Sequence, residues 1–247
     1  MPDQLPAVLL QVWGVERAKV PSAMLRMAST RRLLRQAPGL RFRKLLGTGS
    51  GRSFTVRDAD PRHWALLTVW DDDAPAARFL DGHPALDSWA AVSRERLDVH
   101  LRPLASRGRW SGTEPFGNPL PGKTFGPVAA ITRARIRPRK ALTFWRAVPP
   151  VSLDLRQTPG LQLAIGIGEA PVGLQGTFSL WDDAQSLNDF AHRRRPHVEA
   201  IRRTEQERWY VEELFARFAV TTVRGSYHGR SFEIDRGARP DADRPSP

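Results

Sequence analysis

One order of landmarks occurs twice along this chain, and it constrains the fold more than any single motif. Pro38-Gly39-Leu40 opens a β-rich stretch ending at Trp70-Asp71-Asp72, followed by a helical stretch around Phe79 and then Arg107-Gly108-Arg109-Trp110. Pro159-Gly160-Leu161 opens another, ending at Trp181-Asp182-Asp183, followed by a helical stretch around Phe190 and then Arg224-Gly225-Ser226-Tyr227. Landmarks in the same order at similar offsets argue for a duplicated unit of roughly a hundred residues, the usual size of one small domain. A residue present only in the second copy is therefore a candidate for function rather than folding.

Hydrophobic periodicity fills in the units. In the first, residues 7–14 read as a strand, Pro21–Gln36 as a helix with Met24, Leu25, Met27 and Ala28 on its apolar face and Ser22 as its cap, and Leu40–Thr48 and Trp64–Trp70 as strands. Ala76–Leu97 reads as a helix broken or kinked at Pro84, and Val99–Leu104 as the last strand. In the second, Val128–Ile136, Leu161–Gly168, Gly176–Trp181 and Leu214–Val223 read as strands. Arg139–Arg156 contains a helix with Leu142, Trp145 and Val148 on one side, and Ala184–Glu205 is a second helix. Each copy is β-α-β-β-α-β, so the fold class is α+β: two tandem ferredoxin-like repeats packed as a dimeric α+β barrel-like body. The boundaries are 1–105 for the first repeat, 106–126 for a Gly- and Pro-rich linker, 127–232 for the second repeat, and 233–247 for a disordered tail.

Composition excludes several classes of function. The chain of 247 residues has no cysteine, so disulfides and thiolate ligands are ruled out; this fits a reducing cytoplasm. No apolar run approaches the roughly 18 residues needed to span a bilayer, and Val8–Trp13 is too short for a signal peptide. The net charge of +12 comes from arginines spread along the chain, with lysine only at 19, 44, 123 and 140. No nucleic-acid-binding motif accompanies them, and the charge suits attraction to anionic membrane surfaces or acidic partners.

Among the histidines, His197 stands apart. On the 184–205 helix, Phe190, Arg194, His197, Val198 and Ile201 share one face, because seven residues make nearly two turns. Aligning Arg195-Pro196-His197-Val198 with His83-Pro84-Ala85-Leu86 puts Ala85 where His197 stands, so the first copy lacks the imidazole. That imidazole is either a half-buried residue bonded to a carbonyl or an axial ligand for haem iron. His63, His83, His100 and His228 have no metal-ligand spacing and read as loop or strand residues. Gly47-Thr48-Gly49-Ser50-Gly51 lacks the Rossmann spacing and reads as a loop between paired strands. Gly166 and Gly168 mark a bulge or the close approach of another group, such as a flat prosthetic group. Trp110, beside Arg107 and Arg109, either anchors a surface loop or lines a pocket mouth. No Ser-His-Asp or paired-carboxylate arrangement supports hydrolysis.

Several long blocks carry a family resemblance: Phe42–Gly51 followed by Phe54-Thr55, Arg107–Gly112, Leu142–Arg146, Ile165–Glu169 and Pro196–Arg202. Over most of residues 7–232 the chain resembles the spheroidene monooxygenases. The resemblance implies a haem b-dependent oxygenase that inserts oxygen into a carotenoid, with electrons from a ferredoxin-like donor. By analogy with chlorite dismutases and dye-decolourising peroxidases, it implies haem in the second repeat with a helical histidine as axial ligand, here His197. Phe190, Arg194, Ile201, Gly166, Gly168, Trp145 and Phe178 would then surround the cofactor, with Phe144 beside them. Arg109 and Arg133 would stand near the iron or its propionates; for Arg133, a solvent-facing strand position is the alternative. Two further readings stay open on the same scaffold: an oxygenase acting on a smaller substrate, and a non-catalytic haem or apolar-ligand binder.

Overall fold

Nine strands, joined by antiparallel pairing into a single sheet, organise the described residues. The structure is a computed structural model and describes residues 5–52, 58–119, 124–169, 174–193, 202 and 207–236. The element order is β1 (Ala7–Val15), α1 (Val20–Leu33), β2 (Leu40–Gly49), β3 (Ala59–Trp70), α2 (Asp73–Leu80), α3 (Pro84–Ala90) and β4 (Ser93–Gly108). It continues with β5 (Val128–Ile136), α4 (Ala141–Arg156), β6 (Leu161–Gly168), β7 (Leu174–Trp181), α5 (Ala184–Arg193), β8 (Tyr210–Tyr227) and β9 (Arg230–Asp235).

In the first half β1 lies between β4 and β3, and β2 pairs β3; in the second, β5 lies between β8 and β7, and β6 pairs β7. Two seams join the halves. β4 and β8 pair from Leu97↔Gly225 to Gly108↔Leu214, whereas β2 and β6 meet only at Gly47↔Gly168, Thr48↔Ile167 and Gly49↔Gly166. With both seams made, the mixed α+β fold carries a sheet closed on itself, and closure leaves few unpaired edges.

Alternation of side chains sends successive residues to opposite faces of such a sheet. Along β1, Val8, Leu10 and Val12 enter an interior cluster shared by both halves, including Leu67, Val99, Ile131, Ile165 and Phe218. Leu9 and Trp13 face outwards, where Ala23 of α1, Phe79 of α2 and Trp89 of α3 cover them. Val128 and Trp181 likewise face outwards, under Leu187 and Phe190 of α5. Burying an aliphatic or aromatic side chain contributes about 1.5–3 kcal/mol, so a strand buried at all nine positions, as β1 is, anchors both layers.

The local anchors recur as well. Trp70 Nε1 donates to Thr68 Oγ1 and Trp181 Nε1 to Ser179 Oγ, each at 2.9 Å. The Asp71 and Asp182 amides donate to the Gly39 and Gly160 carbonyls, each at 2.8 Å.

Some expectations need correcting. On α1, Met24 and Leu25 are exposed at 60% and 73%, and the helix buries Ala23 and Thr30 instead. The stacked Trp13 and Trp89 fill the space beneath, so small residues meet them, and Thr30 Oγ1 accepts from Trp89 Nε1 at 3.0 Å. Ser22 makes no capping bond. The helix expected over 76–97 breaks before Pro84 as anticipated, where His83 caps the second helix by accepting from the Ala85 amide, but it ends early, at Ala90, and β4 begins by Ser93. On α4, Leu142 is exposed while Val148 is buried. β4 runs past the linker boundary at 106, and β9 runs into the tail as far as Asp235; residues 237–247 lie outside the described residues.

Candidate functional site

The two halves differ most on the sheet face that carries the helices. Ala7 pairs with Trp70 and Val128 with Trp181, so the two registers can be read against each other. The first half places Leu9, Gln11 and Trp13 on the outward face of β1, and the second places Ala130, Thr132 and Ala134 at the same steps of β5. Across the pairing, Leu66 of β3 corresponds to Thr177 of β7. Large residues thus give way to small ones in the second half alone. Gln11 and Trp13 are fully buried, whereas Thr132 is exposed, Ala130 half-buried and Ala134 buried. Among the described residues this face of β5 and β7 thus carries smaller side chains than its counterpart, beside Trp181 and Phe190, whose rings lie 5.5 Å apart.

The helices beside this face supply polar groups. Trp145 of α4 has a buried Nε1 without a hydrogen-bond partner among the described residues. From β8, Arg217 donates to Asn188 Oδ1 at 2.6 Å and lies 3.3 Å from His192 Nε2. Phe144 packs edge-on against Trp209 and Tyr210. Helix α4 reaches the β2–β6 seam, where Ser152 donates to the Gly51 carbonyl at 2.8 Å and Arg156 bonds the Ser50 carbonyl. At Gly166 the approaching group is this loop: an added β-carbon would lie 2.8 Å from the Gly51 amide nitrogen. The glycine accommodates backbone there, rather than the flat prosthetic group its position in the strand suggested. Gly168 pairs with Gly47 at the same seam.

Other residues anticipated for the site lie elsewhere. Phe178 belongs to the interior cluster, because alternation from the outward-facing Trp181 turns it inwards. Arg133 also points inwards; its side chain is 4% exposed, bonded to Glu212 and, at 3.1 Å, to Glu169. Glu169 further accepts from Trp110 Nε1 at 2.5 Å and Lys44 Nζ at 2.6 Å. Glu212 accepts from the Ser111 and Gly112 amides at 3.0 and 2.7 Å. Burial raises the Glu212 pKa, but these amides and Arg133 outweigh it and hold the carboxyl below its ordinary value. Trp110, itself buried, therefore sits over a charged plug at one end of the interior, with the Arg133 guanidinium 5.7 Å from its ring centre. Arg109 is 64% exposed and faces Glu114. Arg194, His197 and Ile201 lie outside the described residues.

Sequence reasoning missed Ala130, Thr132 and Ala134 as the small counterparts of Leu9, Gln11 and Trp13. The signal was available in the registered comparison of 7–13 with 128–134, where large residues become small, but a strand of alanines and threonines attracts no notice by itself.

No protein-family model matches the chain. Curated relatives do. It is 39% identical over 218 residues to the spheroidene monooxygenase of Rhodobacter capsulatus, covering 86% of this chain and 89% of that protein. It is 36% identical to the spheroidene monooxygenase of Rubrivivax gelatinosus, covering 79% of this chain and 74% of that protein. Among solved structures, one of aldoxime dehydratase superposes with a TM-score of 0.61 at 11% identity, over 89% of this chain and 83% of that one. A structure of aldoxime dehydratase in complex with butyraldoxime gives 0.60 at 10% identity, over 89% and 81%. These two likenesses concern the fold.

Proposed function

The chain belongs to the spheroidene monooxygenase family, and we propose that it is a monooxygenase that inserts one oxygen atom of O₂ into a carotenoid, using haem b held against the second half of the sheet. The activity rests on the family relationship. The place of the chemistry rests on one observation: Ala130, Thr132, Ala134 and Thr177 stand where Leu9, Gln11, Trp13 and Leu66 fill the first half. On this reading the halves are tandem ferredoxin-like repeats, one keeping a filled helix–sheet interface and the other opening it for a ligand.

The residues fit a flat, largely apolar group. Small side chains on β5 and β7 make a floor, Trp181 and Phe190 an apolar wall, and Trp145 Nε1 a buried donor with no acceptor among the described residues. Arg217 on β8 is a cation on the same face, suited to a carboxylate. His197 would hold the iron through its imidazole. When bound, haem supplies the iron at which dioxygen is activated. The chain's own part is to exclude water through the apolar wall and to hold the polyene beside that group, since bound orientation lowers the barrier. For each oxygen atom inserted into a C–H bond the other leaves as water, which requires two electrons and two protons from outside; a ferredoxin-like donor would deliver the electrons.

The test is haem content by pyridine haemochrome in wild type and His197→Ala, with carotenoid products in an acyclic-carotenoid-producing host. The expected result is haem in wild type, loss of stable retention in the variant, and more polar hydroxy- or keto-carotenoids only with wild type. Full haem occupancy in the variant moves the ligand elsewhere. Unchanged carotenoids with haem present point to a smaller substrate.

A further inference from the structure

Three distant parts of the chain bring their polar groups together beside the β8–β9 turn. Asp60 and His63 come from β3, Glu95 from β4, and His228 from the two-residue turn between Tyr227 and Arg230. His63 Nδ1 is 2.6 Å from Asp60 Oδ2, and His228 Nε2 is 3.4 Å from the same oxygen. One ligand atom each from Asp60, His63 and His228 lies within 4.8 Å of the others. We propose that these three residues bind a divalent transition-metal ion of the zinc class, with Glu95 orienting His63 from behind.

The donor set suits that chemistry. Two imidazoles and one carboxylate match zinc and its neighbours, whereas calcium and magnesium call for oxygen ligands throughout. Tetrahedral ligand atoms at ordinary zinc distances lie about 3.3 Å apart. His228 Nε2 already stands 3.4 Å from Asp60 Oδ2, and the 2.6 Å hydrogen bond between Asp60 and His63 would open by about 0.7 Å once the proton between them leaves. Three protein ligands leave a fourth position for water.

The surroundings are arranged as they are behind ligating histidines. A ligating imidazole usually donates its second nitrogen to a carboxylate, which fixes the tautomer. His63 Nε2 is 2.7 Å from Glu95 Oε1. Glu95 is held in turn by Ser226 Oγ at 3.1 Å and by the His228 and Gly229 amides at 3.2 Å each. The free oxygen of Asp60 is held too, accepting from the Arg62 amide at 2.9 Å. Gly14 makes room for the pair: a β-carbon there would stand 2.6 Å from Glu95 Cγ and 2.9 Å from His63 Nε2. His228 adopts φ 50°, a region that a non-glycine residue enters at some cost. The turn thereby brings the imidazole back over His63, ring centres 4.2 Å apart.

Binding would displace a proton from His63 Nδ1, leave Nε2–H donating to Glu95, and tie the terminal β8–β9 hairpin to the first half of the sheet. The experiment uses the untagged full chain, stripped with chelator and titrated with zinc chloride at about pH 8 by calorimetry. Zinc and iron per chain are then counted separately after gel filtration. The expected outcome is one zinc per chain, undisturbed by excess magnesium, with a higher melting temperature because the ion binds only the folded state. His228→Ala should lose the retained zinc while melting like the metal-free wild type, since its side chain is half exposed. Glu95→Gln should weaken binding about 10–100-fold. His192→Ala should leave it unchanged. No retained zinc in wild type, or equal retention in His228→Ala, overturns the site.

Discussion

Trp13 stacks on Trp89 with ring centres 4.9 Å apart and planes 9° from parallel, and the residue at the matching step of the second half is Ala134. The first half thus places an indole where the second has a methyl group, Ala134 being buried at 7%. Restoring bulk on the open floor should therefore close the proposed cofactor space. Thr132 is the place to do so, because it is exposed and a larger side chain there overpacks nothing in the interior. Thr132→Trp should retain a cooperative melt within a few degrees of wild type and lose at least about tenfold in haem retained. Haem content equal to wild type would move the cofactor off this face.

Arg133 is the only cation among the described residues that bonds both Glu169 and Glu212. Removing one partner of a buried ionic network costs about 3–5 kcal/mol, which for a chain of this size lowers the melting temperature by roughly 6–20 °C. Arg133→Met should show that loss in thermal unfolding. Wild-type stability with lost product formation would instead place Arg133 at the reacting centre.

Glu212 gives a pH-dependent signature. Its pKa is lowered in the folded state, so the stability it contributes is present above its ordinary value of 4.5 and is lost as pH falls through the lowered one. The gap in melting temperature between wild type and Glu212→Gln should be full at neutral pH and narrow as pH falls below 4.5. A gap that persists unchanged at lower pH would contradict the ionised clamp on Ser111 and Gly112.

The halves should not stand alone. Separated, β4 and β8 each lose a partner along eleven paired residues, and the shared interior cluster opens to water. Residues 1–112 and 120–236 expressed separately should be insoluble or melt without cooperativity. Two soluble halves with sharp transitions would mean that the seams contribute little.

The sequence by itself determined most of the elements and their order, but not the hairpin strand β9 or the start of β4 at Ser93, inside a stretch that reads as helix. Strand alternation, helical periodicity and the Pro-Gly and Trp-Asp-Asp landmarks are local signals, and they locate β1, β2, β5 and β6 to within a residue or so. Local signals also misled: Met24 and Leu25 mark an apolar face that the stacked tryptophans beneath α1 leave no room to bury. Family resemblance reached the activity through long blocks of similar sequence. Only the tertiary structure decided which face each residue serves. Arg133 and Phe178 look like neighbours of a ligand along the chain, yet the sheet turns both inwards, one into the charged plug and the other into the core. His63 and His228 have no spacing to link them, because closure of the sheet through β4 and β8 brings them together. Periodicity records the next residue or the next turn of the chain; a contact across a closed sheet depends on register and closure, which no local window contains.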